Sequence, residues 1–214
     1  KKYPNILFNN NKLEENIEHL DLYLSKLNQT QLDIYKEIIK TLNKTKGKTN
    51  NLNYTETLIP LQTLNISYPN DIIGDNNDSV EVEEDIKDKP NGINDIMLWK
   101  LSGKPKVMHS FTYKNETNQI FKKDNIGRYS TKIKTILNHI EDPNGKTSDG
   151  IILIYSQWIY YGVLPMALAL EELGYSRFGS KTQNLINNEK KNYSYSIICG
   201  NKELSPDINE EIEA

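Results

Sequence analysis

Residues 148–174 read SDGIILIYSQWIYYGVLPMALALEELG, and the two halves of that stretch decide the fold. The first, IILIYS (151–156), is a continuous apolar run bounded by Gly150 and Ser156, the pattern of a parallel strand buried on both faces. The second, VLPMALALEELG (163–174), puts Val163, Met166, Leu170 and Leu173 on one helical face. Pro165 suits its first turn and Gly174 its C-terminal cap.

Outward from there the same alternation continues. Upstream, STKIKTILNHIED (130–142) spaces Ile133, Ile136 or Leu137, and Ile140 as a helix does, behind a capping Ser130 or Thr131. Downstream, YSYSIICG (193–200) predicts a second buried strand, and SPDINEEIEA (205–214) a further helix with Ser205 as cap, Pro206 first and acids in its first turn. Helix, strand, helix, strand, helix is the signature of a parallel α/β sheet, and such sheets bind ligands at the carboxyl ends of their strands.

Nearer the N-terminus, HLDLYLSKL (19–27) alternates polar and apolar side chains with Leu20, Leu22 and Leu24 on one side, which predicts a half-buried strand. NQTQLDIYKEIIKTLN (28–43) changes period: Leu32, Tyr35, Ile38 or Ile39, and Leu42 share a helix face that Asn28 or Thr30 can cap. A polar loop at 44–54 precedes ETLIPLQTLNISYPN (56–70), a short helix ended near Pro69.

Charge is then segregated. Asp71–Asp88 holds eight acidic residues and one Lys, a local charge of −7 that predicts a solvated or disordered insertion. Lys100–Lys134 holds nine basic residues (Lys100, Lys104, Lys106, Lys114, Lys122, Lys123, Arg128, Lys132, Lys134) against Glu116 and Asp124, a local +7. Phe111, Tyr113, Phe121 and Tyr129 are interleaved with them. Cations beside aromatics suit a phosphate backbone and unstacked bases; a solvated face of a Lys-rich protein explains them equally.

The chain has 214 residues, enough for one ordinary domain, and its 26% charged content with a mean hydropathy of −0.67 predicts a soluble, polar protein. No apolar run approaches the ~18 residues of a membrane span, and no N-terminal segment has the pattern of a signal peptide. No membrane partner is expected, and a cytosolic, viral or nuclear setting fits. The single Cys199 permits no internal disulfide and reads as a buried structural thiol, while His19, His109 and His139 are too scattered for a metal site. Asn (27), Ile (26) and Lys (24) make up 77 residues against two Arg and three Ala, a bias toward AT-rich codons that reports genome composition. The chain starts at Lys1 and stops within LSPDINEEIEA, so an excerpt of a longer protein is expected.

Two nucleotide-like motifs fail on their context. Gly47-Lys48-Thr49 and Gly145-Lys146-Thr147 resemble the end of a phosphate-binding loop, but the required glycine five residues earlier is Leu42 or Ile140. Neither follows a buried strand. Glu83-Glu84-Asp85 lacks the apolar strand that would hold metal-coordinating carboxylates, and no Ser/His/Asp or Cys/His set has catalytic spacing. No catalytic residue and no metal ligand is therefore expected. What remains are the loops after the two predicted strands, Ser156-Gln157 and Gly200-Asn201-Lys202. Ser and Gln offer donors to a phosphate oxygen, Gly admits a close backbone approach, and the following helix N-terminus adds a favourable dipole. Ordinary turn chemistry accounts for the same residues.

With these elements placed, the sequence resembles the second RecA-like lobe of superfamily 2 helicases of the Snf type, particularly the helicase-like proteins of large DNA viruses. Gln31 and Tyr35 in LYLSKLNQTQLDIYKEII match the Gln and Tyr of that family's first helix. Leu61, Gln62, Ile66 and Pro69 resemble its next helix, and Tyr155-Ser156-Gln157 matches the motif IV core. SIICGNKELSPDINEEIEA is similar to motif IVa, and GVLPMALALEELGY is close to the large-virus proteins, in agreement with the codon bias.

The resemblance spans residues 18–214 with an insertion near 70–125. It implies a partial RecA-like parallel sheet with flanking helices, divided into a lead-in strand and helices (1–69), a charge-segregated insertion (70–125) and the N-terminal half of the helicase C-terminal domain (126–214). It also implies that Ser156, Gln157, Gly200 and Asn201 touch a DNA or RNA backbone. The parent protein would be an ATP hydrolase using ATP and Mg, with both sites outside this segment, which alone would be inactive. Its implied partners are the first RecA-like lobe of the same chain and the viral transcription machinery, and its implied location the virion or the host cytoplasm or nucleus. The ATP-binding loop, the acidic metal motif and motifs V and VI are absent from the 214 residues. The alternative is a non-enzymatic α/β module whose acidic and basic stretches mediate protein contacts.

Overall fold

The computed structural model describes residues 21–45, 54–69, 91–104, 106–142, 144–148, 150–179, 183–186 and 193–206. Helix α1 (Gln29–Thr45) begins where Asn28 Oδ1 accepts from the Gln31 amide at 2.9 Å, the N-cap expected from the sequence. The other half of the same side chain, Nδ2, donates to the Arg128 carbonyl at 2.8 Å and to that of Gly127. That double use sets the helix's rotation. Gln31, Ile34 and Ile38 turn inward, so the buried face lies about one residue from the expected Leu32–Tyr35 stripe.

Helix α2 (Tyr54–Thr63) leads into a buried segment, Ile66–Tyr68, stitched to the rest by the Ser67 amide on the Tyr129 carbonyl (2.9 Å). A short α3 (Asn91–Ile96) then runs into an antiparallel hairpin of β1 (Met97–Ser102) and β2 (Val107–Tyr113). Its register slips between Leu98 and Lys100, leaving one extra residue on β2. Ser110 sits in that bulge with φ of 55°, its hydroxyl 2.7 Å from His109 Nδ1. The hairpin lies within the stretch expected as a polar insertion, yet Met97, Met108 and Phe111 on its inner face, with Ile120 and Phe121 beyond it, belong to the main core cluster.

Helices α4 (Lys123–Tyr129) and α5 (Thr131–Ile140) meet at Ser130, whose hydroxyl accepts from the Ile133 amide at 3.0 Å and donates to the Asn65 carbonyl. Ile133, Leu137 and Ile140 are its buried stripe, as the spacing requires. A π-helical turn (Ile159–Val163) runs into α6 (Leu164–Glu172), where every residue from Leu164 to Glu171 is buried. A helix apolar all round is a core helix. It ends as expected on Gly174, with φ of 88° and the Tyr175 amide bonded back to the Leu170 carbonyl.

The fold is thus mixed α/β, but among the described residues its parallel pairing is confined to β3 (Ser176–Arg177) on β4 (Ser194–Tyr195). The expected buried strand 151–155 forms no ladder, and its side chains are exposed, Ile151 fully, Leu153 90% and Tyr155 87%, with Ile152 and Ile154 about half so. Among the described residues no strand lies beside it, so its backbone groups have no partners to draw it inward. The lead-in strand expected at 19–27 fares likewise. Its described part, from residue 21, forms no ladder, and Leu22, Tyr23 and Leu24 are exposed. The helix expected after Ser205 lies outside the described residues from 207 onward, and the Ser205 hydroxyl donates to the Ile197 carbonyl at 2.7 Å. No described helix is long and apolar enough to cross a membrane.

A buried polar knot closes the far end of α6. Glu171, fully buried, accepts from the Leu185 amide (2.7 Å), the Ile186 amide and the Tyr195 hydroxyl (2.7 Å). One carboxylate thereby holds 185–186 and β4 against the helix. Burial raises its pKa, outweighing those donors and the nearby Arg177, and Tyr195 is pushed well above the ordinary phenol range by its own burial and by Glu171.

Candidate nucleic-acid interface

Of the four residues singled out at the strand ends, Ser156 and Gln157 precede the turn that carries Tyr160, and Asn201, next to Gly200, reaches that tyrosine. Ser156 opens the turn before α6: its hydroxyl accepts from the Trp158 amide (3.2 Å) and lies within 3.3 Å of the Trp158 carbonyl. It is wedged against Gly162, where a Cβ would lie 2.0 Å from Ser156 Oγ. Only glycine fits opposite that hydroxyl. Ser156 therefore shapes the turn, while Gln157 beside it is exposed on a bend.

The second loop is organised by Asn201. Its Oδ1 accepts from the Glu203 amide (2.8 Å) and the Leu204 amide (3.3 Å), and its carbonyl accepts from the Ser205 amide (2.8 Å), so 201–205 is a closed turn. With Oδ1 committed to those amides, Nδ2 points the other way and donates to the Tyr160 hydroxyl at 3.4 Å. Gly200, immediately before, is exposed, and nothing lies within 4 Å of where its Cβ would be.

The charge of 100–134 is displayed and its aromatics are not. Lys100, Lys104, Lys106, Lys114, Lys122 and Arg128 are exposed. Phe111, Phe121 and Tyr129 are buried, and the Tyr113 hydroxyl donates to Glu172 at 2.7 Å, which together with burial raises its pKa. The interleaved aromatics are core, so the stretch offers cations to phosphates and no stacking platform for bases. Lys123 pairs with Glu141 at 3.1 Å, and Lys132 reaches the Asn65 Oδ1 at 2.6 Å, where desolvation lowers its pKa. Those two support the fold.

The Gly145-Lys146-Thr147 loop gives the physical reason that it is no phosphate cradle. Asp142 Oδ1 accepts from the Asn144 and Lys146 amides, both at 2.8 Å, and the Asp142 carbonyl from the Gly145 amide at 3.0 Å. The amides that would face an anion are already filled by a carboxylate. The Gly47 counterpart lies outside the described residues. Among the described residues no three His, Cys, Asp or Glu side chains are grouped to hold a metal ion.

Gln31, which the resemblance singled out, braces α5 by accepting the Thr131 amide on its Oε1 (2.9 Å), whereas Tyr160, the partner of Asn201, carried no sequence signal of its own. Tyr160 is one of thirteen tyrosines, and only the tertiary contact distinguishes it. Comparison with protein-family models, curated proteins and solved structures gives no match to this chain.

Proposed function

We propose that the chain is part of a nucleic-acid-dependent ATPase, a helicase or translocase, and supplies nucleic-acid backbone contacts from its second RecA-like lobe. The observation that carries this reading is the hydrogen bond from Asn201 Nδ2 to the Tyr160 hydroxyl, between residues 41 apart in sequence, which ties the Gly200-Asn201 loop to the turn that follows Ser156-Gln157. Gln157 and Gly200 are both exposed, and the exposed Lys202 stands two residues beyond Gly200 to neutralise phosphate. Such contacts position a strand without reading its bases, so DNA and RNA are both substrates in principle.

Phosphoryl transfer in these machines is positioning and electrostatics across two lobes. ATP and Mg would be held by the first lobe and by motifs that this segment lacks. The residues described here offer neither a carboxylate cluster for the metal nor an unfilled amide cradle, and no step of hydrolysis is assigned to them. The 214 residues alone are accordingly expected to be without ATPase activity, and the first lobe and the viral transcription machinery are the protein partners in this reading. The test is Gln157→Ala in the full protein: strand binding should weaken about fivefold, one hydrogen bond's worth, with the salt slope nearly unchanged. Unchanged affinity would leave Gln157 a turn residue.

One observation favours a second reading, a module for protein contacts. Ile151–Tyr155 presents five consecutive large apolar side chains to solvent, the kind of surface that marks an interaction site.

A further inference from the structure

The turn between the exposed run and α6 is wound as a π-helix. The Val163 amide bonds to the Trp158 carbonyl at 2.9 Å and the Leu164 amide to the Ile159 carbonyl, five residues back in each case. A π-turn inserts one residue into helical winding, costs hydrogen-bond quality, and is found disproportionately at functional sites. Here the insertion is held from both sides. The Tyr160 carbonyl accepts the Tyr68 hydroxyl at 2.6 Å, which pins the turn to the buried 66–68 segment, and the Tyr160 hydroxyl accepts Asn201 Nδ2. The fit of Gly162 against Ser156 Oγ locks the Ser156-Gln157 loop to the same turn. Moving Tyr160 would therefore move both loops relative to each other.

We infer that Tyr160 is a positioning residue that sets the register between Gln157 and the Gly200 backbone, so that the two loops engage one nucleic-acid strand as a single site. This rests on the nucleic-acid reading above. Tyr160 touches no phosphate itself. Its hydroxyl fixes the Asn201 side chain, the Asn201 turn fixes the approach to Gly200, and the backbone around Tyr160 fixes Gln157.

The test is Tyr160→Phe, which removes one oxygen and keeps the ring. A fluorescein-labelled single-stranded oligonucleotide is titrated against wild-type protein, Y160F, Q157A and the double variant, and amide hydrogen exchange is followed at Leu204 and Ser205. Y160F should weaken binding about fivefold with the salt slope unchanged, because no phosphate contact is lost, and should speed exchange at Leu204 and Ser205. In the Q157A background its effect on binding should shrink, since one of the two loops it aligns is already silent. Wild-type affinity in Y160F, with Q157A still impaired, overturns the positioning role and leaves the nucleic-acid reading standing. A flatter salt slope in Y160F also overturns it, by making Tyr160 part of a direct phosphate contact. Absence of oligonucleotide binding by the wild-type protein overturns both.

Discussion

The run Ile151–Tyr155 and helix α6 are separated by only a short turn and are both predominantly apolar, yet the run is exposed at every residue while α6 is buried from Leu164 to Glu171. The difference lies in what each backbone needs. A helix satisfies its own amides and carbonyls from within, so α6 requires only that its side chains be covered. A strand must find a neighbour for its backbone before burial becomes favourable, because an unpaired buried amide or carbonyl costs as much as a lost hydrogen bond. Apolar composition states that a segment gains from burial. It does not supply the partner that a strand requires.

The largest effects that break the comparison are expected on the α6 side. Glu171→Ala leaves the Leu185 and Ile186 amides and the Tyr195 hydroxyl without their acceptor, and should cost roughly 3 kcal/mol or more in denaturant unfolding. The same carboxyl makes a pH prediction. Its folded pKa is raised by burial, so the stability it contributes is fully present below the ordinary value of 4.5 and is lost as pH rises through the folded value. The wild-type advantage over Glu171→Ala should accordingly shrink from acid toward neutral pH, and an advantage that grows would show that the donors outweigh burial. Leu168→Ala, at 0% exposure, should cost about 3 kcal/mol through the cavity it leaves. At the other extreme, Leu153→Lys should change stability by less than about 0.5 kcal/mol while raising solubility, because Leu153 is already 90% exposed. A loss of several kcal/mol from Leu153→Lys would mean that 151–155 is covered in solution.

The same contrast explains how much of the molecule was legible in its sequence. Helices α5 and α6 were legible because caps and periodicity are local: Ser130, Pro165 and Gly174 each stand where the chain reads them. Helix α1 was legible in extent and not in rotation, since its inward face is set by Asn28 and Gln31 reaching residues about 100 positions away. The hairpin went unread beneath the charge count, although MLWKLSGKPKVMHSFTY carries two β-rich runs around a Gly-Lys-Pro turn, which was the available signal. The aromatics were legible as residues and not as orientations, because burial of Phe111, Phe121 and Tyr129 depends on the opposing helices. Gln157 and Gly200 were proposed from strand-end reasoning, and the first of those strands has no ladder. The Tyr160 bridge between their loops was invisible, since nothing local marks a contact made across the fold.

The central claim is that the paired loops and the exposed lysines hold a nucleic-acid backbone. Its most direct test is titration of a labelled single-stranded oligonucleotide with the wild-type chain at ionic strengths from about 50 to about 200 mM, the range over which phosphate contacts lose most of their strength. The account predicts saturable binding that weakens steadily as salt is raised. No binding at the lowest salt, or an affinity indifferent to salt, would contradict it.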